Sequence, residues 1–258
     1  MLEKHRTTLF KLLVTAIFVA GSSGLPSSVA RAQLETVLSE RSNVTSPGVT
    51  FQPPTDGTLD DSAGGATRPV ALKCRQDPAS AVPLSAVLPA QQVGLTVKAR
   101  PMFFAYVPET SAGRAYFSLK DESGREVYGA MLPLRDVPGI VQVQLPADGP
   151  PLEVDRTYRW QLGILCQPAQ TDMPWIEGRV RRVSPDSSEI ERPQHFDRLS
   201  AVEQAAWYGE AGFWYDTLAV LADEYVARPD DPTLSQTWHD LLVSAGLGEL
   251  ARQPLVRF

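Results

Sequence analysis

Few side chains in this 258-residue chain are of a type and spacing that could do chemistry. Cys74 and Cys166 are its two cysteines. An even cysteine count predicts one disulfide in a chain that meets an oxidising compartment; the alternative is two buried free thiols. A bridge closes a loop of about 93 residues, worth roughly 4–5 kcal/mol by chain entropy. Asp172 and Glu177 bracket Pro174-Trp175. Two carboxylates beside an aromatic suggest a glycosidase, but this spacing fits a loop and a strand edge better. Glu189 and Glu191 flank Ile190, where acids near a helix start complement its dipole. His195 lies in a Pro-flanked linker and His239 follows Trp238 on an expected helix; both read as solvated. These histidines and cysteines are too few and scattered for a structural zinc site. No Gly-x-Ser-x-Gly elbow, Walker loop, His-Glu-x-x-His or dinucleotide fingerprint is present. No enzyme activity, cofactor or metal is therefore expected.

Two further groups of residues point to binding. Arg179, Arg181 and Arg182 form a basic cluster in an acidic protein. Arg179 and Arg181 share the face opposite Val180. The plain reading is a solvated sheet face paired with nearby acids; the sharper one is a docking patch for a carboxylate or acidic glycan. Trp207, Phe213, Trp214, Tyr215, Tyr225 and Trp238 crowd one short region. At helical spacing most are core, yet three short helices have little interior. Phe213 and Tyr215 are therefore expected at the surface, and with Arg179, Arg181 and Arg182 they make the expected partner surface. The partner is an envelope protein or a glycan.

The address comes from the N-terminus. Lys4, His5, Arg6 and Lys11 precede a short apolar run from Leu12 to Ala20, and Ala30-Arg31-Ala32 is a cleavage signal. Residues 1–32 read as a secretory signal peptide, too short in its apolar part to span a bilayer. The protein is expected in the periplasm or outside the cell, with no membrane span after cleavage. Residues 1–32 hold four Lys/Arg (Lys4, Arg6, Lys11, Arg31) and one acid (Glu3), so 20 basic and 29 acidic residues remain beyond them. That balance makes nucleic acid and anionic lipid poor partners.

The elements that must position these residues follow from periodicity. Residues 33–69 are rich in Ser, Thr, Pro, Gly and Asp and read as a flexible leader. From Val70 the pattern changes to about eight short apolar or alternating runs. They are Val70 to Cys74, Val93 to Val97, Met102 to Val107, Ala115 to Leu119, Val127 to Leu132, Val141 to Leu145, Tyr158 to Cys166 and Trp175 to Val183. In Tyr158, Trp160, Leu162, Ile164 and Cys166 every second residue is apolar, the pattern of a half-buried strand. Leu152 and Tyr158 are spaced as in the tyrosine corner of immunoglobulin-like sandwiches. The regular spacing predicts an antiparallel β-sandwich over 70–184. An α-helical tail follows over 185–258, making the whole α+β. Ser200-Ala-Val-Glu203 is a capping box. A second helix runs from about Phe213 to Ala227, and Asp231-Pro232 opens a third that Gly246 closes.

Two resemblances accompany this reading. Ala205, Tyr208, Gly212, Leu221 and Pro229 resemble a single tetratricopeptide-like helical hairpin, with Thr217 and Glu224 where that repeat usually has Ala. Over residues 70–258 the chain resembles the exported cyanobacterial "domain of unknown function 928" family. The matching residues are Gly94-Leu-Thr-Val97, Pro101 with Phe103-Phe104, Tyr106-Val-Pro108, Pro138-Gly-Ile-Val141 and Pro151-Leu-Glu-Val154. Tyr158, Trp160, Cys166, Gly178, Val180-Arg-Arg-Val183, Trp214-Tyr-Asp216, Leu218-Ala219, Pro229-Asp-Asp-Pro232 and Trp238 continue the match. The resemblance implies an exported protein of a photosynthetic bacterium and brings no activity, ligand or site residues. The combined expectation is a non-enzymatic interaction or envelope scaffold module. The alternatives are a carbohydrate- or cell-wall-binding module and, remotely, a hydrolase.

Overall fold

The computed structural model describes residues 48–54, 73–89, 93–188 and 190–256. The expected signal peptide, and leader residues 33–47 and 55–69, lie outside the described residues. The described residues belong to one compact unit.

Two sheets share a core. The first has strands β1 (Ser85–Ala86), β3 (Met102–Val107), β6 (Gly139–Gln144) and β9 (Leu255–Val256), in that order. The second runs β2 (Gly94–Thr96), β8 (Trp175–Arg182), β7 (Thr157–Ile164), β4 (Arg114–Lys120) and β5 (Glu126–Pro133). Period two sets which face is buried. Tyr158, Trp160, Leu162 and Ile164 of β7 point inward beside Ala115, Phe117 and Leu119 of β4. Phe103, Ala105 and Val107 of β3 meet them from the first sheet, with Val141 and Val143 of β6.

The sheets are mixed, not antiparallel as the spacing predicts. β2 pairs parallel with β8, and β6 parallel with β9. Tight turns force only sequence neighbours to run antiparallel. β2 and β9 reach their partners from far along the chain and carry no such constraint.

The outer face of the first sheet is covered by helices α1 (Ala201–Glu210), α2 (Trp214–Ala227) and α3 (Pro232–Ser244) and their connections. Phe104, Tyr106 and Ile140 pack there against Trp214, Leu218, Leu221, Trp238 and Leu241. Strand β3 is thus buried on both faces, which explains its continuous apolar run, Met102-Phe-Phe-Ala-Tyr-Val107. The expected caps are present. Ser200 Oγ accepts from Glu203 N while Glu203 Oε2 accepts from Ser200 N, and Asp231 Oδ1 accepts from Thr233 N at 2.9 Å. Gly246 follows α3 with φ +77.

Part of the expected flexible leader is packed. Val49 and Phe51 are buried in the helical core, and the Phe51 ring meets Trp214 edge-on at 4.8 Å. Gln52 N donates to Gly209 O at 3.0 Å. A Cβ on Gly209 would lie under 3.0 Å from Thr50 O. The glycine that weakens α1 as a helix is what lets this segment lie against it.

Cys74 and Cys166 form a disulfide with Cα atoms 5.5 Å apart. Cys74 lies in a loop instead of the expected strand, and Cys166 lies two residues past β7. Asp77 ties the Cys74 loop down. Its carboxylate accepts from Ser111 N at 2.8 Å and from Thr110 Oγ1 at 2.6 Å. Burial pushes the Asp77 carboxyl up, but these hydrogen bonds outweigh it and hold it below its usual range.

Candidate functional site on the uncovered sheet

The two aromatics expected at the surface are both buried. Tyr215, in the first turn of α2, inserts into the core between the sheets and lies 5.5 Å from Phe103. Its Oη accepts from Trp160 Nε1 at 2.7 Å and donates to Arg179 O at 3.0 Å. Burial pushes its phenol well above the usual range. Two glycines make the room: a Cβ on Gly94 would sit 2.5 Å from the Tyr215 ring, and one on Gly178 2.5 Å from Trp160. Phe213 is buried in a small cluster with Val183, Phe196, Trp207 and Tyr208. The aromatics of the tail are shared among three cores, two of them built partly from strands. Counting only helical interior underestimates the space available.

Next to Tyr215, Asp216 is 1% exposed. Its Oδ2 accepts from Val97 N at 3.0 Å, while Oδ1 has no partner among the described residues. Burial raises its pKa to about 6, partly opposed by the Val97 N–H, the Thr96 side chain and the Lys98 charge.

The basic cluster divides. Arg182 is half-buried and Nη1 donates to Leu152 O at 2.6 Å. It braces the turn where Tyr158 Oη accepts from Glu153 N at 3.1 Å. Arg179 and Arg181 point outward, as the alternation predicts. Asp172 is held by Arg75 at 3.0 Å, and Glu177 Oε2 accepts from Gln161 Nε2 at 3.3 Å. His239 Nδ1 lies 3.2 Å from Asp240 Oδ1, and Glu189 lies outside the described residues.

Among the described residues no helix lies over the outer face of the five-stranded sheet, and the strand register orders its side chains in rows. One row is cationic: Lys120 lies opposite Arg159, and Arg159 opposite Arg179. A polar row follows, with Ser118 opposite Gln161 and Gln161 opposite Glu177. The last row is aromatic and apolar. Met131 lies opposite Tyr116, Tyr116 opposite Gly163, and Gly163 opposite Trp175. Met131 is 54% and Trp175 40% exposed. A Cβ on Gly129 would collide with the Tyr116 phenol, so the tyrosine lies across β5 where that strand has no side chain. Its Oη donates to Glu126 Oε1 at 2.8 Å, and that bond raises its pKa.

Five cations (Arg114, Lys120, Arg159, Arg179, Arg181) face two carboxylates (Glu126, Glu177) here, on a chain of net charge −6. Lys120 Nζ donates to the neutral Gln161 Oε1 at 2.9 Å, and Arg181 lies 3.9 Å from Asp155. Arg159 and Arg179 have no side-chain partner among the described residues. Parity alone shows which residues point outward. Only the register across β4, β7 and β8 shows that Lys120, Arg159 and Arg179 are neighbours.

Two concavities lie elsewhere. A cleft of about 190 Å³ is lined by Val97, Lys98, Pro185, Arg192, Trp207 and Tyr208. A groove of about 350 Å³ beside α3 includes Tyr225, Trp238, His239 and Arg252. Among the described residues there is no group of three His, Cys, Asp or Glu that could hold a metal ion. Nor is any helix among them long and apolar enough to cross a membrane.

These features define an α+β protein of two mixed sheets, one of them covered by helices. Its family follows from the sequence: residues 63–255 match the model of the Domain of Unknown Function (DUF928) family, and the chain belongs to it. No curated protein matches the chain. Among solved structures it is similar to the crystal structure of CopC from Methylosinus trichosporium OB3b, at 12% identity and a TM-score of 0.27. That similarity covers 36% of this chain and 85% of the other.

Proposed function

We propose that this is a non-enzymatic interaction module working outside the cytoplasm, with the open face of the five-stranded sheet as its binding surface. The observation that carries the reading is the ordered set of exposed and half-buried cations and aromatics on a face that no described helix covers. Residues that stability does not need are where binding is found, and Trp, Tyr, Met and Arg are the side chains interfaces favour. Export is supported by the basic–apolar–Ala30-Arg31-Ala32 order and by the disulfide, since such bonds persist in oxidising compartments. In this reading the immunoglobulin-like sandwich is the scaffold, and the tetratricopeptide-like helices cover the inner sheet.

The test is capture from envelope extract by the immobilised protein. Wild type is compared with Arg159→Glu/Arg179→Glu, with Trp175→Ala, and with Arg252→Ala in the distant groove. The reading expects the captured material to be lost with the two face variants alone, at unchanged melting temperature. Capture that survives both, or that only Arg252→Ala removes, places binding elsewhere.

A further inference from the structure

We infer that the open sheet face binds an acidic polysaccharide, with the Lys120–Arg159–Arg179 row holding its anionic groups and Tyr116 and Trp175 stacking on its sugar rings. The inference rests on the proposed role of this face and adds the ligand class.

The cationic row is a feature that folding does not ask for. Like charges directly opposite on adjacent strands repel, and neighbouring strands are only ~4.8 Å apart. Here three such residues stand side by side on an acidic chain, with Glu126 opposite Lys120 at the end of the row, and Arg159 and Arg179 have no side-chain partner among the described residues. An anion bridging the arginines relieves that repulsion, and guanidinium forks suit carboxylate or sulfate oxygens.

The rest of the face narrows the choice of anion. Arg159 and Gly163 are four residues apart on β7, which separates the cationic and aromatic rows by roughly 13 Å. A ligand touching both is an extended chain. Gly163 has no side chain between Tyr116 and Trp175, where a sugar ring can lie against the exposed Trp175. Between the rows, Gln161 and Glu177 offer acceptors that suit sugar hydroxyls. A DNA chain has no free sugar hydroxyls along its length for Gln161 and Glu177 to bind. A polymer with both hydroxyls and carboxylates along its length meets all three rows.

The experiment measures binding of the full protein to polygalacturonate, to dextran as a neutral glucan, and to oligothymidylate. The variants are Arg159→Gln/Arg179→Gln, Trp175→Ala and Arg252→Gln, each checked for an unchanged melting temperature. The expected result is polygalacturonate binding that weakens with salt. It falls roughly tenfold or more in the first two variants, the loss of at least one charge-assisted or stacking contact, and is unchanged in the third. No polygalacturonate binding, or binding equal in all variants, overturns the inference. So does dextran bound as tightly as polygalacturonate, or oligothymidylate bound more tightly. If no polysaccharide binds but capture from envelope extract still depends on Arg159, Arg179 and Trp175, the ligand class is wrong and the binding face stands.

Discussion

Asp216→Asn gives a measurable pH signature. The native carboxyl titrates at about 6 against an ordinary value of 3.8, because burial penalises its charge more than its hydrogen bonds and Lys98 favour it. The folded state therefore holds this proton more tightly than the unfolded chain. Below pH 3.8 both states are protonated and the stability contribution is complete. Between 3.8 and about 6 the unfolded chain ionises first, and stability is lost as pH rises. The shift of about two pH units corresponds to about 3 kcal/mol at 1.36 kcal/mol per unit. Asparagine does not titrate and keeps a carbonyl oxygen for Val97 N–H. Its amide N–H adds a fixed cost of about 1–3 kcal/mol if it takes the unpartnered Oδ1 position. That cost is the same at every pH and cancels when the variant-minus-wild-type difference is followed. Urea unfolding watched by tryptophan fluorescence at pH 3.5 and 7.5 measures this difference. The variant is expected to gain about 3 kcal/mol relative to wild type between the two pH values. Carboxylates held low, such as Asp77 and Glu203, act in both proteins and drop out. A difference independent of pH would show that Asp216 titrates normally, and that its placement behind Val97 carries no electrostatic cost.

Two further outcomes follow from the geometry. Replacing Cys74 and Cys166 by Ser frees a loop spanning a sequence separation of 92 residues and is expected to cost about 4–5 kcal/mol in urea unfolding. A loss under about 1 kcal/mol would show that other contacts already hold the loop closed. Gly209→Ala places a methyl against Thr50 O and is expected to speed amide exchange at Gln52 about tenfold or more, while Trp160 and its neighbours stay protected. Unchanged exchange at Gln52 would mean that residues 48–54 do not depend on that close approach.

What the sequence revealed was local, and what it hid was not. Alternation placed Tyr158, Trp160, Leu162 and Ile164 on one face, and Ser200, Asp231 and Gly246 marked helix ends, because these signals act over a few residues. Val49 and Phe51 also alternate, but only once, among prolines and glycines, so their burial against Trp214 left no readable pattern. Tyr215 looked surplus because its pocket is made by Gly94, Gly178 and Trp160, far away in the chain. For the outer face of the five-stranded sheet, Arg179 and Arg181 were legible from parity. Lys120, Arg159, Tyr116 and Trp175 were not, since their adjacency depends on the register of β7 against both β4 and β8, which no local pattern sets.

Strand β3 contributes Phe103, Ala105 and Val107 to one core and Phe104 and Tyr106 to the other. No cut between sandwich and helices leaves a self-sufficient piece. A chain ending at residue 184 would expose Phe104, Tyr106 and Ile140 and strip Trp160 Nε1 of its acceptor on Tyr215. The helices alone would lose the strand surface on which Trp214 and Trp238 rest. The two layers are therefore expected to unfold as one cooperative body, joined through a strand a single residue thick that both cores share.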